Sequence, residues 1–166
     1  PYVRSGNSIG RIRRLRLMAI LPIVIAAVLN TGYQYLTAMR AAVEQLPEGW
    51  RDRVIQYFNA GYTDPGVYDI FLAGLVHIIP VFVIAFLTCS FWERIFADQS
   101  NRPFDIGVLY TSLLFTMLMP PEAALFHIIF GLSFSTVFAH GIFGGEGRAF
   151  LNPALVGVAF IQITFP

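Results

Sequence analysis

The feature that most restricts the fold of this chain is an apolar run, Leu17–Leu36, that is long enough to cross a lipid bilayer. A hydrocarbon core of about 30 Å needs roughly 20 helical residues. A second run, Ile70–Phe91, has the same length, and His77 is its only ionisable side chain before Cys89. With 56% hydrophobic and 13% charged residues, the composition is also that of a membrane protein. We therefore predict an all-α integral membrane protein, a polytopic helical bundle whose helices satisfy their own backbone groups.

The first 16 residues form a basic segment that contains no acid. Its basic residues are all arginine: Arg4, Arg11, Arg13, Arg14 and Arg16. Positive charge beside a first span marks the cytoplasmic side, so the N-terminus is predicted to be cytoplasmic and residues 17–166 to form the membrane domain. A nucleic-acid-binding arm is disfavoured so close to a span, and the lipid bilayer is the expected partner.

Residues 38–69 have a different character and are predicted to be an extramembrane insert. Two stretches, "AMRAAVEQL" and "GWRDRVIQYF", place apolar residues at helical spacing beside charges. Such stretches are typical of short amphipathic helices at a membrane surface, with Trp50 and Tyr57 as anchors. Because acids outnumber arginines here, we place the insert on the outer side.

The apolar segment 106–119 is too short to be assigned by length alone and stops at Pro120-Pro121. It is a short tilted span, half of a broken helix or a re-entrant segment. The next run, Ala123–Phe143, has full length, and its Gly131, Ser135 and Ala139 recur every four residues, a glycine-containing face of small residues that predicts close helix packing. Phe150–Phe165 is another span or half-span. Four to five spans or half-spans are thus predicted. If segment 106–119 crosses fully, residues 144–152 lie on the cytoplasmic side; if it re-enters, they lie outside.

The fifth of these segments follows a glycine-rich turn in "FGGEGRAFLNPALVGVAF". Glycines bring backbone N–H groups close to a ligand, arginine adds a fork of donors, and an asparagine before a proline caps a new helix. The pattern suits an anion or a polar heterocycle such as a flavin edge, and equally a tight turn between two helices. The candidate binding residues are Gly144, Gly145, Gly147, Arg148 and Asn152.

A second candidate is Glu93, an acid at the end of the Ile70–Phe91 run. An acid at membrane depth indicates function by default, here acceptance of a cation from the cytoplasm. At the interface it is instead solvated or paired with Arg94. His77 is expected to be a hydrogen-bonded interior residue and Cys89 a buried apolar one. No metal site, hydrolase triad or nucleotide-binding motif is apparent, and no catalytic residue is assigned.

Several motifs carry a family resemblance over almost the whole chain. The chain resembles the membrane flavoproteins shared by sodium-pumping NADH:quinone oxidoreductases and Rnf electron-transport complexes. The stretches that carry the resemblance are "PYVRSGNSIGRIRRLRLMAILPIVIAAVLNTG", "FWE" after the second run, "PP" after the third and "GGEGRAFLNPALVGVAF", and they occur in the family's order. The long 38–69 insert is similar to the sodium-pump branch and unlike the shorter Rnf branch. We expect the chain to be the N-terminal part of a longer protein, inactive on its own.

The resemblance implies a urea-transporter-like inverted-repeat fold of about ten spans in the bacterial inner (cytoplasmic) membrane. It implies FMN bound covalently through a Thr that lies beyond this segment, with riboflavin as a further flavin and quinone as substrate. It implies electron transfer from NADH to quinone through partner subunits, coupled to sodium ion export. It assigns Glu93 to sodium uptake, Phe160 to a narrow point of the ion path, and Asn152 with the glycine turn to the region near riboflavin. Cys89 and Ser90 stand where members can carry a Gly-Gly pair linked to quinone. An Rnf-type electron-transport membrane subunit, a passive solute channel or transporter of related fold, and a scaffold without a site remain alternatives.

Overall fold

The structure is a computed structural model that describes residues 9–41, 49–58, 65–99, 107–138 and 151–165. Helices are the only regular elements in these ranges. In chain order they are α1 (Ile9–Ala41), α2 (Trp50–Tyr57), α3 (Val67–Gln99), α4 (Gly107–Leu118), α5 (Leu125–Ser135) and α6 (Pro153–Thr164). The prediction of an all-α helical bundle is confirmed, with two long helices and three short apolar ones.

Both long helices extend beyond their apolar runs. Each has 33 residues, so each rises about 50 Å, well beyond the hydrocarbon thickness. α1 begins within the basic segment, because arginine is a good helix former. The long arginine side chains also allow their charged ends to stay in water while the helix continues into the membrane. At its other end α1 continues to Ala41, so the first four residues of "AMRAAVEQL" belong to α1 and not to a separate helix, and the rest of that stretch lies outside the described residues.

The helix α3 is the central element of the bundle and contacts every other described helix except α6. Its buried side chains recur every fourth residue: Ala73, His77, Val81, Ala85, Cys89, Glu93 and Ala97. Most are small, which lets neighbouring helices approach closely along one ridge. Pro80 lies within this helix and is tolerated in lipid.

Two glycines bring α1 and α3 into backbone contact. A Cβ added to Gly32 would overlap the carbonyl oxygen of Ile70, and one added to Gly74 would overlap the carbonyl oxygen of Val28. Neither site has room for any side chain. Hydrophobicity gives helices little reason to associate within lipid, so this close van der Waals contact is the main attraction between the two spans.

Two of the short helices, α4 and α5, pack against the half of α3 that follows Pro80, and α6 packs against both of them. The turn after α4 lies beside Ile78 and Val81, whereas Thr136, directly after α5, interacts with Cys89. α4 therefore runs antiparallel to α3, and α5 runs back parallel to it. Because α4 ends beside Ile78, midway along α3, it is only a partial span, as the half-helix interpretation of segment 106–119 has it. The helix α5 ends on the same side as the C-terminal part of α3.

The glycine-rich face predicted on α5 is a close helix contact. Gly131 and Ser135 are buried and face Gly157 of α6. A Cβ at Gly157 would lie 3.0 Å from the carbonyl oxygen of Gly131 and from Oγ of Ser135. Ala139, the third residue of the predicted face, lies outside the described residues.

The short helix α2 covers the C-terminal end of α1 and the N-terminal end of α3, and the helix predicted for "GWRDRVIQYF" is confirmed. Its Ile55 is fully buried against Leu36 and Ala73, while Trp50 and Tyr57 are exposed, as interfacial anchors must be. Asp52 is only 7% exposed in this contact. One carboxylate oxygen accepts a hydrogen bond from the Tyr35 hydroxyl and the other, at 3.1 Å, from the backbone N–H of Gly49.

Asp52 thus both caps α2 and ties it to α1, which leads to a prediction. Tyr35→Phe removes one charge-assisted hydrogen bond, worth about 1.5–3 kcal/mol, and keeps the ring that lies against His77. Amide hydrogen exchange in α2 should accelerate roughly 10- to 100-fold, while exchange in α6 stays unchanged. Arg53→Ala, at an exposed position on the same helix, is the matched control; equal acceleration in both variants would contradict the role of the bond.

Candidate membrane-depth site

The most unusual side chain within the bundle is Glu93, which is only 8% exposed. The expectation that it is solvated is wrong, because it is buried on α3, which continues six residues further, to Gln99. Its place in the every-fourth-residue ridge of α3 turns it away from solvent. Removing a carboxyl group from water in this way is costly, so an acid retained here indicates function.

The neighbours of Glu93 form a small polar cluster. Cys89, one turn earlier on α3, is a free buried cysteine that interacts with Glu93 and with Thr136. The hydroxyl oxygens of Thr136 and Ser90 are buried without a hydrogen-bond partner of normal geometry among the described residues. The cluster thus combines a carboxylate, a thiol and two hydroxyls, groups that can bind a cation or hydrogen-bond a carbonyl ligand.

Thr136 is a residue that sequence analysis missed. It begins a wider π-helical turn, residues 136–138, that extends α5, and such turns are frequent at functional sites. The π-helical turn places Thr136 against α3. The sequence contains only a weak signal for Thr136. It is a hydroxyl residue that directly follows Ser135, on the helix whose face of small residues predicts close packing.

The second predicted ion-path residue, Phe160, lies in an aromatic stack between α5 and α6. Its ring is nearly parallel to that of Phe134, with centroids 4.1 Å apart, and Phe134 stacks in turn on Phe138 at 4.4 Å. The face of an aromatic ring attracts cations at about 6 Å or less. This stack of rings is compatible with a narrow apolar point of an ion path. It is equally compatible with ordinary packing between α5 and α6.

Of the five residues predicted to bind a flavin, only Asn152 lies within the described residues. It is the N-cap of α6, and its Oδ1 accepts a hydrogen bond of 3.0 Å from the backbone N–H of Ala154, with Pro153 in the first turn. This confirms the predicted cap. Gly144, Gly145, Gly147 and Arg148 lie outside the described residues, so the predicted flavin contacts of the turn remain predictions.

Two further predictions from single residues can be checked. His77 is buried, and its Nδ1 lies 2.9 Å from the carbonyl oxygen of Ala73, so it is a hydrogen-bonded interior residue as predicted. Cys89 is buried and free, also as predicted. Among the described residues no group of three or more His, Cys, Asp or Glu side chains is placed to hold a metal ion.

A small cavity of about 40 Å³ lies where α4 ends, between α1 and α3. Thr31, Ile78 and Thr116 are among its lining residues, together with Met117 and Pro121. Pro120 and Pro121 have no N–H group, so the carbonyl oxygens of Thr116 and Met117 cannot receive the usual helical hydrogen bonds. The end of α4 thus presents free carbonyl oxygens at membrane depth.

The two long apolar helices and the three short ones define a polytopic all-α membrane protein. Comparison with known proteins identifies the family. The family model described as "NQR2, RnfD, RnfE family" matches residues 1–166, and the chain belongs to this family.

Curated relatives narrow the resemblance within the family. The chain is 34% identical to a protein of Ectopseudomonas mendocina and 34% identical to one of Yersinia pestis, in each case over 99% of its own length. Both relatives are named as the same subunit of Na(+)-translocating NADH-quinone reductase, as is a 31% identical protein of Pseudomonas aeruginosa. The chain spans about two fifths of the length of these relatives, 41 to 42%.

Proposed function

We propose that the chain is the N-terminal membrane part of a respiratory sodium pump subunit, which couples electron transfer from NADH through flavins to quinone with export of sodium ions. The names of the relatives support this activity. The structural observation that carries the proposal is Glu93, an acid only 8% exposed that lies one turn from the buried Cys89 on α3. A passive solute channel does not need a buried acid, whereas cation transfer does.

In this proposal, Glu93 receives a sodium ion from the cytoplasmic side. Cys89 and the hydroxyl of Thr136 supply further weak ligands beside it. The stacked rings of Phe134 and Phe160 narrow the path through their apolar faces. The positive-inside rule supports a cytoplasmic N-terminus, with the protein in the bacterial inner membrane and the other subunits of the complex as partners.

The flavin part of the proposal rests on the family resemblance. When bound, FMN or riboflavin would supply the one- and two-electron chemistry that connects NADH oxidation with quinone reduction. Of the residues predicted near a flavin, Asn152 already uses its carboxamide oxygen as a helix cap, which leaves its NH₂ group as donor. The Thr expected to carry FMN lies outside this chain, so no flavin attachment is assigned to the residues present.

The experiment uses the full-length protein in its complex, in inverted membrane vesicles. Addition of NADH should drive ²²Na⁺ uptake that persists with a protonophore, because a primary sodium pump needs no proton gradient. The denatured full-length protein should fluoresce as a flavoprotein in a gel. Sodium uptake abolished by the protonophore, or a full-length protein without bound flavin, would refute the sodium-pump proposal.

A further inference from the structure

Two hydroxyl groups near Cys89 lack the hydrogen bond that other buried hydroxyls in the bundle make. Oγ1 of Thr136 and Oγ of Ser90 are enclosed, and neither has a hydrogen-bond partner of normal geometry among the described residues. Three buried hydroxyls on α4 and α5 behave differently, since each donates to a carbonyl oxygen three or four residues earlier, at 3.0, 2.8 and 3.1 Å: Ser112, Thr116 and Ser135. A buried hydroxyl without a partner is costly, so Thr136 and Ser90 need an explanation.

Both hydroxyls belong to the surroundings of Glu93. On α3, Ser90 and Cys89 precede Glu93 by three and four residues, the spacings at which helical side chains are neighbours. Thr136 approaches from the end of α5 and contacts the thiol of Cys89, which is also within electrostatic reach of Glu93. Because the described residues already enclose both hydroxyl oxygens, a further segment of the protein does not reach them. The missing partner is therefore a small ligand that enters among these side chains.

We infer that the hydroxyls of Thr136 and Ser90 make the site at Glu93 selective for a sodium ion over a proton. A proton binds a carboxylate through one covalent bond and needs no other ligand. A sodium ion forms no such bond, so several oxygen atoms must replace its hydration shell at once. A hydroxyl oxygen has two lone pairs and can supply such a ligand, whereas the thiol of Cys89 suits a hard cation poorly. The inference rests on the proposed function in one respect, namely that Glu93 receives the transported cation.

The test measures NADH oxidation by the full-length protein in its complex as a function of sodium concentration. Thr136→Val removes the hydroxyl and keeps the branched shape. It should weaken the apparent sodium affinity about tenfold, as expected for one lost ligand to a charged group, and retain the maximal rate at saturating sodium. Thr136→Ser should retain the affinity. Thr116→Val is the matched control, because this buried hydroxyl already donates to the carbonyl oxygen of Ser112, and its sodium affinity should not change.

Selectivity has its own readout, the amount of ²²Na⁺ taken up by inverted vesicles per NADH oxidised at limiting sodium. This ratio should fall in Thr136→Val, because protons then replace sodium at the site, whereas a general structural defect lowers both rates together. An unchanged ratio, an unchanged affinity, or an equal loss in Thr136→Ser would overturn the inference. If Thr136→Val does not assemble, Ser90→Ala takes its place with the same expected results and the same contrary ones. Protonophore-resistant ²²Na⁺ uptake by the wild type would leave the proposed function standing in each of these cases.

Discussion

Gly74→Leu is expected to separate α1 from α3 and to destabilise the bundle by at least about 3 kcal/mol. The physical reason is overlap, because even a methyl group at this position would coincide with the carbonyl oxygen of Val28, a backbone atom that cannot rotate away. Overpacking of a well-packed contact costs about 1–3 kcal/mol, and occasionally more. The measurement is the midpoint of thermal unfolding of the full-length protein in detergent, followed by aggregation.

A graded series keeps this prediction specific. Gly74→Ala should be intermediate between the wild type and Gly74→Leu. Gly66→Ala, eight residues earlier at the start of α3, is the matched control, since its Cβ would meet only Oδ2 of Asp69, at 3.7 Å. That variant should unfold within a few degrees of the wild type. If Gly74→Ala were as stable as Gly66→Ala, the close approach of the two helices would be wrong.

Glu93→Ala should lower the sodium-stimulated turnover of the assembled complex by tenfold or more. The reason is the position of this acid, which is buried on the ridge of α3 beside Cys89 and Thr136. Without the carboxylate, a sodium ion leaving water would have only neutral ligands to replace its hydration shell. The readout is the rate of NADH oxidation as a function of sodium concentration, which separates the apparent sodium affinity from the maximal rate.

Two further variants test whether the effect of Glu93→Ala comes from the loss of the charge, from the change in side-chain size or from the loss of any acidic residue. Glu93→Gln preserves the side-chain volume, so a defect shared with Glu93→Ala reports the lost charge. Glu122→Ala removes an exposed acid in the turn between α4 and α5 and should leave turnover unchanged. Unchanged sodium affinity and maximal rate in Glu93→Ala would remove this residue from the ion path.

The spans were predictable from the sequence because lipid demands long apolar runs. Leu17–Leu36 and Ile70–Phe91 both lie inside the long helices, and the Asn152 cap of α6 follows from local chemistry. The helix ends were not predictable, since hydropathy marks the hydrocarbon region and not the end of backbone hydrogen bonding. Hydropathy also left open whether Glu93 is solvated, although its spacing of four and eight residues from Cys89 and Ala85 on the buried ridge was a readable signal.

Contacts between distant segments account for what the sequence did not show. Asp52 looks like an ordinary surface acid within "GWRDRVIQYF", and its partner Tyr35 lies 17 residues earlier, on another helix. Thr136 acquires significance only because a wider turn of α5 brings it to Cys89. Each pairing depends on how the helices cross, which local periodicity does not encode.

The unequal helix lengths also have a consequence for how the chain enters the membrane during synthesis. The twelve residues of α4 rise only about 18 Å, too little to cross the hydrocarbon core alone. At the end of α4, the carbonyl oxygens of Thr116 and Met117, which lack their helical hydrogen bonds, would be unstable facing lipid. This helix must therefore wait for the α1 and α3 pair to be in place. Biogenesis then has a fixed order: the glycine-packed pair inserts first and serves as the template for the short helices that follow.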